Sequence, residues 1–502
     1  MSSHTMATNS DVRDGSGDRR WLILSVLVVA QFMVVLDVAI VNVALPTIKN
    51  DLHFSENGLQ WVITADAILF GGVLLLGGRM ADLLGRRRVF MAGLAVFTIF
   101  SLLDGLAWSS ASLIVFRGLQ GLGAALLAPA ALSILTTTFR EGRDRNVALG
   151  IWGAASGSGG AAGVLLGGAL TSALSWSWIF FINVPVGVLV LAISPILLKE
   201  SRAELDHRHF DAAGAASITG GLMLLVYALT HASQNGWATT ETVGLLAASA
   251  ALVIAFVVIE VRSPAPLLPL RIFRLRTLTA SNINALLMGA AIFSQFFLLT
   301  LYMQQVLHYS ALKTGVAYIA LTLAIIGFSV VSQALVTRVG IRVVLAVGMA
   351  LSAAGLVLYA QLPVHGTYFS NLFPAFILSG IGLAFAFVPM SIGALTGVRP
   401  DDAGVASGLL NTNQQIGGAI GVAVATTIAT TYTSHYLSGH PGVGPLDGAA
   451  LTHGFQIAFY VLAALAALAA VISAIMIEPG AAATSSSQET ADELTPALEE
   501  AA

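Results

Sequence analysis

The chain has 502 residues, of which 56% are apolar and only 10% are charged, and its formal net charge is −3. This composition excludes an ordinary soluble protein, which needs a largely polar surface. The absence of cysteine excludes disulfides, thiol catalysis and cysteine-ligated metals. The apolar residues come in blocks long enough to cross a bilayer, which predicts an all-α polytopic membrane protein, because lipid-exposed backbone has to satisfy its own hydrogen bonds.

We predict fourteen membrane-spanning helices, each flanked by charged residues or by glycine and proline. Residues 1–20 are polar and are expected to form a disordered tail. The tail 478–502 holds six acidic residues and no lysine or arginine, and it is also expected to be disordered. The predicted spans are 21–45, 59–80, 88–108, 112–137, 146–171, 177–198, 212–232, 242–261, 277–306, 315–338, 341–361, 370–396, 405–432 and 455–477.

One carboxylate interrupts the first span. Asp37 lies about eight residues, or ~12 Å, from the outer end of the run, and the amide of Asn42 follows it. An ion near mid-membrane costs at least ~2.5–3.5 kcal/mol, so it usually faces a cavity and has a function there. The alternative is an acid that reaches the headgroups, but a short side chain at this depth does not reach water. Asp37 is therefore predicted to bind a proton or a cation.

A short basic segment, GGRMADLLGRRRVF, joins the second and third spans. It spaces Gly78, Asp82 and Gly85 regularly ahead of Arg86 and Arg87. The two glycines permit close backbone approach, and Asp82 is able to cap a helix or to pair with Arg86 or Arg87. A loop that served only as a topology signal would not need this spacing.

Three more ionisable residues lie in the outer halves of the second, third and fourth spans. Arg117 is a buried cation that needs an acidic partner, unless it is an interfacial arginine about five residues from the outer end. Asp66 lies ~10 Å from that end, close to the depths of Asp37 and Arg117. These two acids and the arginine are therefore predicted to share one layer. Asp104, near the outer end of span three, is predicted to be interfacial.

Span five carries a run of glycines at spacings of three and four, which places them on one helix face. Such a stripe lets two helices pack backbone against backbone. The glycines are Gly153, Gly157, Gly160, Gly163 and Gly167.

Polar residues also interrupt spans four, nine and thirteen. Polar groups within a span either hydrogen-bond to other helices or line an aqueous path. Span thirteen holds five consecutive polar residues, 411–415, and some of them point inwards whatever the rotation of the helix. The polar residues predicted to face a cavity are Asn42, Gln120, Gln295, Asn411 and Gln415.

Taken together, these motifs resemble the major facilitator superfamily, and within it the fourteen-helix branch of drug–proton antiporters (EmrB/QacA type). The segment around Asp82 resembles the superfamily's cytoplasmic loop motif, LDVAIVNVALP in span one resembles its drug-exporter motif, and FRGLQG in span four resembles its Arg-x-x-Gln-Gly motif. The glycine stripe resembles the antiporter motif, and SWSWIFFINVPVG matches the fourteen-helix branch. The resemblance covers residues 21–477. Leu83, Val164 and Asp66 depart from the family pattern, replacing an arginine, a proline and an aromatic residue.

The resemblance implies a major-facilitator fold of two six-helix bundles around a central cavity. Residues 21–198 form the first bundle and 277–477 the second, and 199–276 form a linker with two inserted transmembrane helices. It also implies that Gly78, Asp82, Gly85, Arg86 and Arg87 form a charge latch between helices.

The function implied by the resemblance is proton-coupled export of lipophilic drugs or antibiotics by alternating access. Asp37 is then the main coupling acid, and Asp66 is a second proton site tuned by Arg117. The expected partners are a lipophilic small molecule, protons and the lipid bilayer, without nucleic acid. No cofactor is expected, because the proton gradient supplies the energy, and the chain is expected to be a monomer in a bacterial cytoplasmic membrane.

Two other classes of function share parts of this pattern. A facilitator that imports a small polar nutrient would have the same fold, but the glycine stripe favours export. A membrane sensor or enzyme would need a cluster of nucleophiles or metal ligands. His207 and His209 come nearest, and they lack a third ligand. The sequence has no Gly-x-x-x-x-Gly-Lys-Ser/Thr loop, which excludes direct use of ATP. We therefore do not expect an enzyme.

The distribution of basic residues predicts the orientation. Of the 23 lysines and arginines, only Lys49 and Lys313 lie in odd-numbered loops, and only Arg117 lies inside a span away from its cytoplasmic end. Cytoplasmic loops carry the excess of Lys and Arg in membrane proteins. Reporter fusions should therefore place both termini and the loops 199–211 and 262–276 in the cytoplasm. An extracellular C-terminus would mean that the number of spans is odd.

Overall fold

A computed structural model of the protein describes residues 14–54, 56–59, 61–139, 142–202, 211–263, 266–399, 402–440, 444 and 447–479. All regular structure in these ranges is helical. Thirteen helices are long and apolar enough to cross a membrane, and a bent pair, 143–160 with 162–173, adds a fourteenth. The prediction of an all-α membrane protein with fourteen spans is confirmed.

The membrane-spanning helices, numbered in chain order, follow the predicted spans closely. Several begin at a side-chain cap: Ser109, Thr239 and Asp447 each accept a hydrogen bond from the first turn of the helix that follows. The helices are α1 Asp14–Asp51, α2 Trp61–Leu84, α3 Arg86–Gly105, α4 Ser110–Thr138, α5 Arg143–Ala173, α6 Trp178–Leu197, α7 Ala212–Asn235, α8 Thr240–Arg262, α9 Arg276–Val306, α10 Leu312–Val339, α11 Ile341–Tyr359, α12 Tyr368–Gly393, α13 Ala403–Gly439 and α14 Gly448–Met476.

The first helix is longer than its predicted span. It begins at Asp14, so the prediction of disorder is wrong for residues 14–20. Extending an existing helix adds a hydrogen bond for each residue that is fixed, so a long apolar helix can order the polar residues that precede it. The rest of the predicted N-terminal tail, the basic loop with His207 and His209, and the tail beyond residue 479 lie outside the described residues.

The helices on each side of the inserted pair pack mainly among themselves. In the first set, α1 packs on α5, while α2 and α3 both pack on α4. In the second set, α9 packs on α13 and α11 packs on α12 and α14. The two sets meet where α2 and α4 contact α13, and where α5 contacts α10 and α12. We call the end of the bundle that carries Arg86 and Arg145 the basic end.

The inserted helices α7 and α8 pair with each other, and α7 also lies against α2 and α13. The linker that follows them is fixed at two points. The buried carboxylate of Glu260 accepts hydrogen bonds from the backbone N–H groups of Leu267 and Leu268, at 3.1 and 3.0 Å. Arg271 forms a 3.0 Å ion pair with Asp402, directly before α13. The inserted pair is thus connected to the start of α13.

The glycines of α5 contact more than one helix, which differs from the predicted packing of a single helix pair. Gly163 and Gly167 face the backbone of α1, whereas Gly153 and Gly157 face Phe387 of α12. Gly160 lies against the ring of Phe296 in α9. The five positions spread over an arc of the helix wide enough to reach helices on both sides. The stripe therefore joins α5 both to its own set of helices and to the other.

A bend of 41° separates the two parts of α5, 143–160 and 162–173. Val164 stands in the position of the family's proline, so the bend has another cause. Ser158 donates a 2.7 Å hydrogen bond to the carbonyl of Ala154, and Gly159 and Gly160 follow it. Serine back-bonding and small residues are known causes of helix bending.

Replacing Gly163 with alanine tests the close approach of α5 to α1. A Cβ atom there would lie 2.6 Å from the Leu36 carbonyl oxygen and 2.8 Å from Ala39 Cβ. The helices would have to separate, and overpacking of this kind costs ~1–3 kcal/mol. We expect Gly163→Ala to lower the thermal unfolding midpoint of the purified protein by several degrees.

The matched control is Gly327→Ala in α10, where a Cβ atom would meet nothing within 4 Å. It should not lower the midpoint, because alanine is the better helix former. Equal midpoints for the two variants would contradict the close packing.

Candidate functional site

Arg117 lies at the centre of a buried charge cluster in the half of the bundle away from the basic end. Its side chain is 2% exposed. Nη1 donates a 2.7 Å hydrogen bond to Asp37 Oδ2 and a second hydrogen bond to Gln120 Oε1. Nη2 lies 3.3 Å from Asp66 Oδ2, and Nε donates to the Val62 carbonyl oxygen at 3.2 Å. The structure therefore brings together the three side chains that were predicted to share a layer.

Asp37 has further partners besides the arginine. Its Oδ1 accepts hydrogen bonds from Gln120 Nε2 at 3.0 Å and from Asn183 Nδ2 at 2.8 Å. Its side chain is 2% exposed, so these donors replace the water that it lost on burial. We define the charge cluster as Asp37, Asp66, Arg117, Gln120 and Asn183.

The start of α6 closes the charge cluster. The short turn of helix Trp178–Phe181 places the Phe180 ring 5.7 Å from the Arg117 guanidinium carbon, a cation–π contact. The Phe180 carbonyl accepts a 2.9 Å hydrogen bond from Ser101 in α3. Asn183, which begins the next helical segment, also donates to Ser101 Oγ at 3.1 Å. The segment SWSWIFFINVP thus supplies both a ring and an amide to the site.

Asp104 lies near the outer end of its span, as predicted, but it is not exposed there. It is fully buried, at 0% exposure, one helical turn beyond Ser101 in α3. The start of α6 covers the end of α3, and a Cβ atom at Gly105 would collide with the Phe181 ring. Counting residues from the end of a span could not reveal this cover, because it comes from a segment far along the chain.

Sequence reasoning also missed Asn183 and Ser101 as members of the site. Asn183 belongs to a recognised motif, but nothing in the motif states which side chain it contacts. Ser101 and Asp104 are three residues apart in a span, and this spacing places both on one helix face. That spacing was the available signal for an inward polar face of α3.

At the basic end, Asp82 connects the two sets of helices. Its carboxylate accepts hydrogen bonds from Gly404 N at 3.3 Å and Val405 N at 3.2 Å, in the first turn of α13. It also pairs with Arg86, whose Nη2 lies 3.1 Å from Asp82 Oδ1. Asp82 is 0% exposed. Of the alternatives for this acid, capping and pairing with Arg86 are both present, and the capped helix belongs to the other set.

Two glycines make this contact possible. A Cβ atom at Gly78 would collide with the Gly404 carbonyl oxygen, so α2 and α13 could not approach as closely. Gly85 has φ +113°, which L residues rarely adopt, at the sharp turn between α2 and α3. We call the contact of Asp82 with Gly404 and Val405 the latch.

Arg87 does not contact Asp82. Its backbone N–H donates to Glu200 Oε1 at 3.2 Å and its Nη1 donates to the Leu198 carbonyl oxygen at 3.3 Å. Arg88 also lies near Glu200, at 3.6 Å. Arg87 therefore joins the turn after α2 to the end of α6, and of the two predicted pairings of Asp82 the structure has the one with Arg86.

The residues predicted to face a cavity divide into two groups. Gln120 and Gln295 are buried, at 0% and 2% exposure; Gln295 Oε1 accepts a 3.0 Å hydrogen bond from Ser379 in α12. Because packing leaves no open space around these two side chains, they do not face a cavity. They stabilise contacts between helices instead. Asn411 and Gln415 are half-buried and Asn42 is exposed, so these three remain available to a solvent-filled space or to lipid.

The chain is similar to proteins of one family. The model of the Major Facilitator Superfamily matches residues 27–422. The puromycin resistance protein pur8 of Streptomyces alboniger is 39% identical over 470 residues, 92% of each chain. The cephamycin export protein CmcT of Amycolatopsis lactamdurans is 42% identical over 394 residues, 78% of this chain and 81% of the relative. The crystal structure of the human organic anion transporter MFSD10 (TETRAN) shares the fold, with a TM-score of 0.63 at 14% identity, over 90% of this chain and 99% of its own.

Replacing Asp82 with asparagine tests the latch. Asparagine removes the charge that two backbone N–H groups and Arg86 share, and hydrogen bonds to charged groups are worth ~1.5–3 kcal/mol. The chain has no cysteine, so a single Ser407→Cys variant, placed where α13 is buried against α4, reports on opening. We expect Asp82→Asn to speed its labelling by a soluble thiol reagent roughly tenfold or more.

The control is Asp144→Asn, which removes an exposed ion pair with Arg20 at the same end. It should leave labelling unchanged, because exposed pairs contribute little. Labelling at the parental rate in Asp82→Asn would show that the latch does not hold the basic end closed.

Proposed function

The chain belongs to the Major Facilitator Superfamily, and on that premise we propose that it exports antibiotics or other lipophilic small molecules in exchange for protons. The buried Arg117–Asp37 ion pair carries this proposal, because it places an ionisable acid against a fixed cation inside a membrane bundle. Intramembrane acids of this kind mark proton and ion pathways.

The relatives support the substrate class. The chain covers most of the length of a puromycin resistance protein and of a cephamycin export protein. The match to the puromycin resistance protein covers 92% of each chain, so the likeness is not confined to a single domain. Export of antibiotics or similar drugs is therefore the function proposed for this chain.

The charge cluster supplies a reason for coupling. With Asp37 and Asp66 both ionised and Arg117 protonated, it carries one net negative charge. A proton on either acid neutralises that charge. The protonated acid then attracts the arginine more weakly. Arg117 then pairs with the remaining carboxylate, so a proton changes which helix the arginine is bound to. A cationic substrate could balance the negative charge of the cluster in place of the proton, and it would not need to contact the proton.

The latch supplies the second element of alternating access. In this conformer the two sets of helices are joined at the basic end through Asp82, and Arg145 donates to the Leu395 carbonyl oxygen nearby. The excess of arginine at this end supports a cytoplasmic location. Export then requires the latch to open to load substrate and to close again before release. A membrane potential of 100 mV adds ~2.3 kcal/mol for each charge that moves inward.

Replacing Asp37 with asparagine tests the coupling. Arg117 keeps Asp66 as its partner, so the fold should survive, whereas removing every partner of a buried ion typically costs ~3–5 kcal/mol. We expect Asp37→Asn to abolish export driven by an imposed pH gradient for every substrate found in a drug panel that includes puromycin and a cephamycin. The same host should lose its resistance to those drugs.

Proton release on addition of substrate to purified protein in weak buffer is the direct readout. The wild type and a Glu241→Gln control, an exposed acid on α8, should release protons equally. Asp37→Asn should release fewer. If Asp37→Asn releases as many protons as the wild type, the coupling acid lies elsewhere.

A further inference from the structure

Asp104 is a third buried acid, which interacts with the layer of the charge cluster from the end of α3, and the proposed mechanism does not use it. Neither oxygen of its carboxyl group accepts a hydrogen bond from any residue that the structure describes, and each oxygen is inaccessible. The side chain interacts electrostatically with Arg117, Asp37 and Asp66. An ionised carboxylate without hydrogen bonds in an apolar interior is among the most costly arrangements in a protein.

The charges in this layer do not balance if every acid is ionised. Arg117 is the one cation that interacts with the three carboxyl groups in the described part of the layer, and it already contacts two of them directly. Three carboxylates against one guanidinium would leave two uncompensated negative charges in a buried space. A proton on Asp104 removes one of these charges and also removes the need for hydrogen-bond donors.

Among the described residues, Arg117, Asp37 and Asp66 are the charged groups that interact with Asp104. Helix α3 packs on α2, α4 and α6; from these, Asp66 and Arg117 interact with Asp104, and Asp37 does so from α1. Residues 178–197 of α6 contain no ionisable side chain. A polar route nevertheless leads from Asp37 through Asn183 to Ser101, one helical turn from Asp104, with donor–acceptor distances of 2.8 and 3.1 Å.

We propose that Asp104 is a further proton-binding residue of the exporter, which holds a proton in this conformer and gives it up during the transport cycle. The reaction is the binding and release of one proton by a carboxylate, so no other reactant is needed. This inference rests on the proposed function, because it adds a second exchangeable proton to the proton-coupled export assigned to Asp37. With Asp104 and both other acids deprotonated, the layer would carry two net negative charges, which suits a dicationic substrate.

Infrared spectroscopy of the purified protein tests the first part without any substrate. A protonated carboxyl group in an apolar site gives a carbonyl stretching band that a carboxylate lacks. We expect the wild type at neutral pH to show such a band, and the isosteric Asp104→Asn variant to lose it. The Glu241→Gln control should keep the band. A band of full intensity in Asp104→Asn, or its absence in the wild type, would overturn the proposal.

Proton release tests the second part, using a drug that the resistance panel has identified. In weak buffer, Asp104→Asn should release about one proton fewer per substrate molecule than the wild type, because one exchangeable site is gone. Equal release by the two proteins would overturn the proposal, since Asp104 would then be a permanently neutral packing residue. No release from the wild type with any drug would instead overturn the proposed proton coupling itself.

Discussion

The buried guanidinium group of Arg117 joins several helices of the first set. An arginine side chain carries five N–H donors in a fixed planar fork, and it stays protonated inside a protein. In the interior each of those donors needs an acceptor, and the charge needs an opposite charge. Arg117 receives the carboxylates from α1 and α2, the amide oxygen from its own helix and a backbone carbonyl from α2. The positions of three helices are therefore fixed by the needs of one side chain.

The charge cluster and the latch share a structural element. Helix α2 carries Asp66 near one end and Asp82 near the other, sixteen residues or ~24 Å apart. Helix α4 likewise carries Arg117 and, further along, the Pro129 carbonyl that accepts a 3.0 Å hydrogen bond from Ser407 of α13. A change in the pairing of Arg117 acts on helices whose opposite ends hold the basic end closed. This arrangement is a physical basis for coupling, because two rigid elements belong to both sites.

Depth along a helix could be predicted from the sequence, and lateral contacts could not. Counting residues from the ends of spans was enough to place Asp37, Asp66 and Arg117 in one layer, because the rise per residue of a helix is constant. The same count placed Asp104 near the end of its helix but could not predict its burial, since that burial depends on the start of α6. The glycine stripe of α5 was equally visible, but its division between two neighbours depends on the rotation of the helix. The contacts of Arg117 with the Val62 carbonyl and of Asp82 with α13 involve main-chain atoms. The pattern of side chains in the sequence does not reveal such contacts.

The tolerance of the latch to substitution depends on which groups donate and accept its hydrogen bonds. Asp82 binds the main chain of α13, at the positive end of the helix dipole, rather than any side chain there. Each residue other than proline contributes the same backbone N–H group, so a substitution at Val405 leaves its donor in place. Gly404 is different, because a Cβ atom would press on Asp82 Oδ2 and on the carbonyl of Gly78. Mutational drift in α13 under drug selection can therefore reshape the surface that meets a substrate while the closing contact persists, provided that this one position stays small.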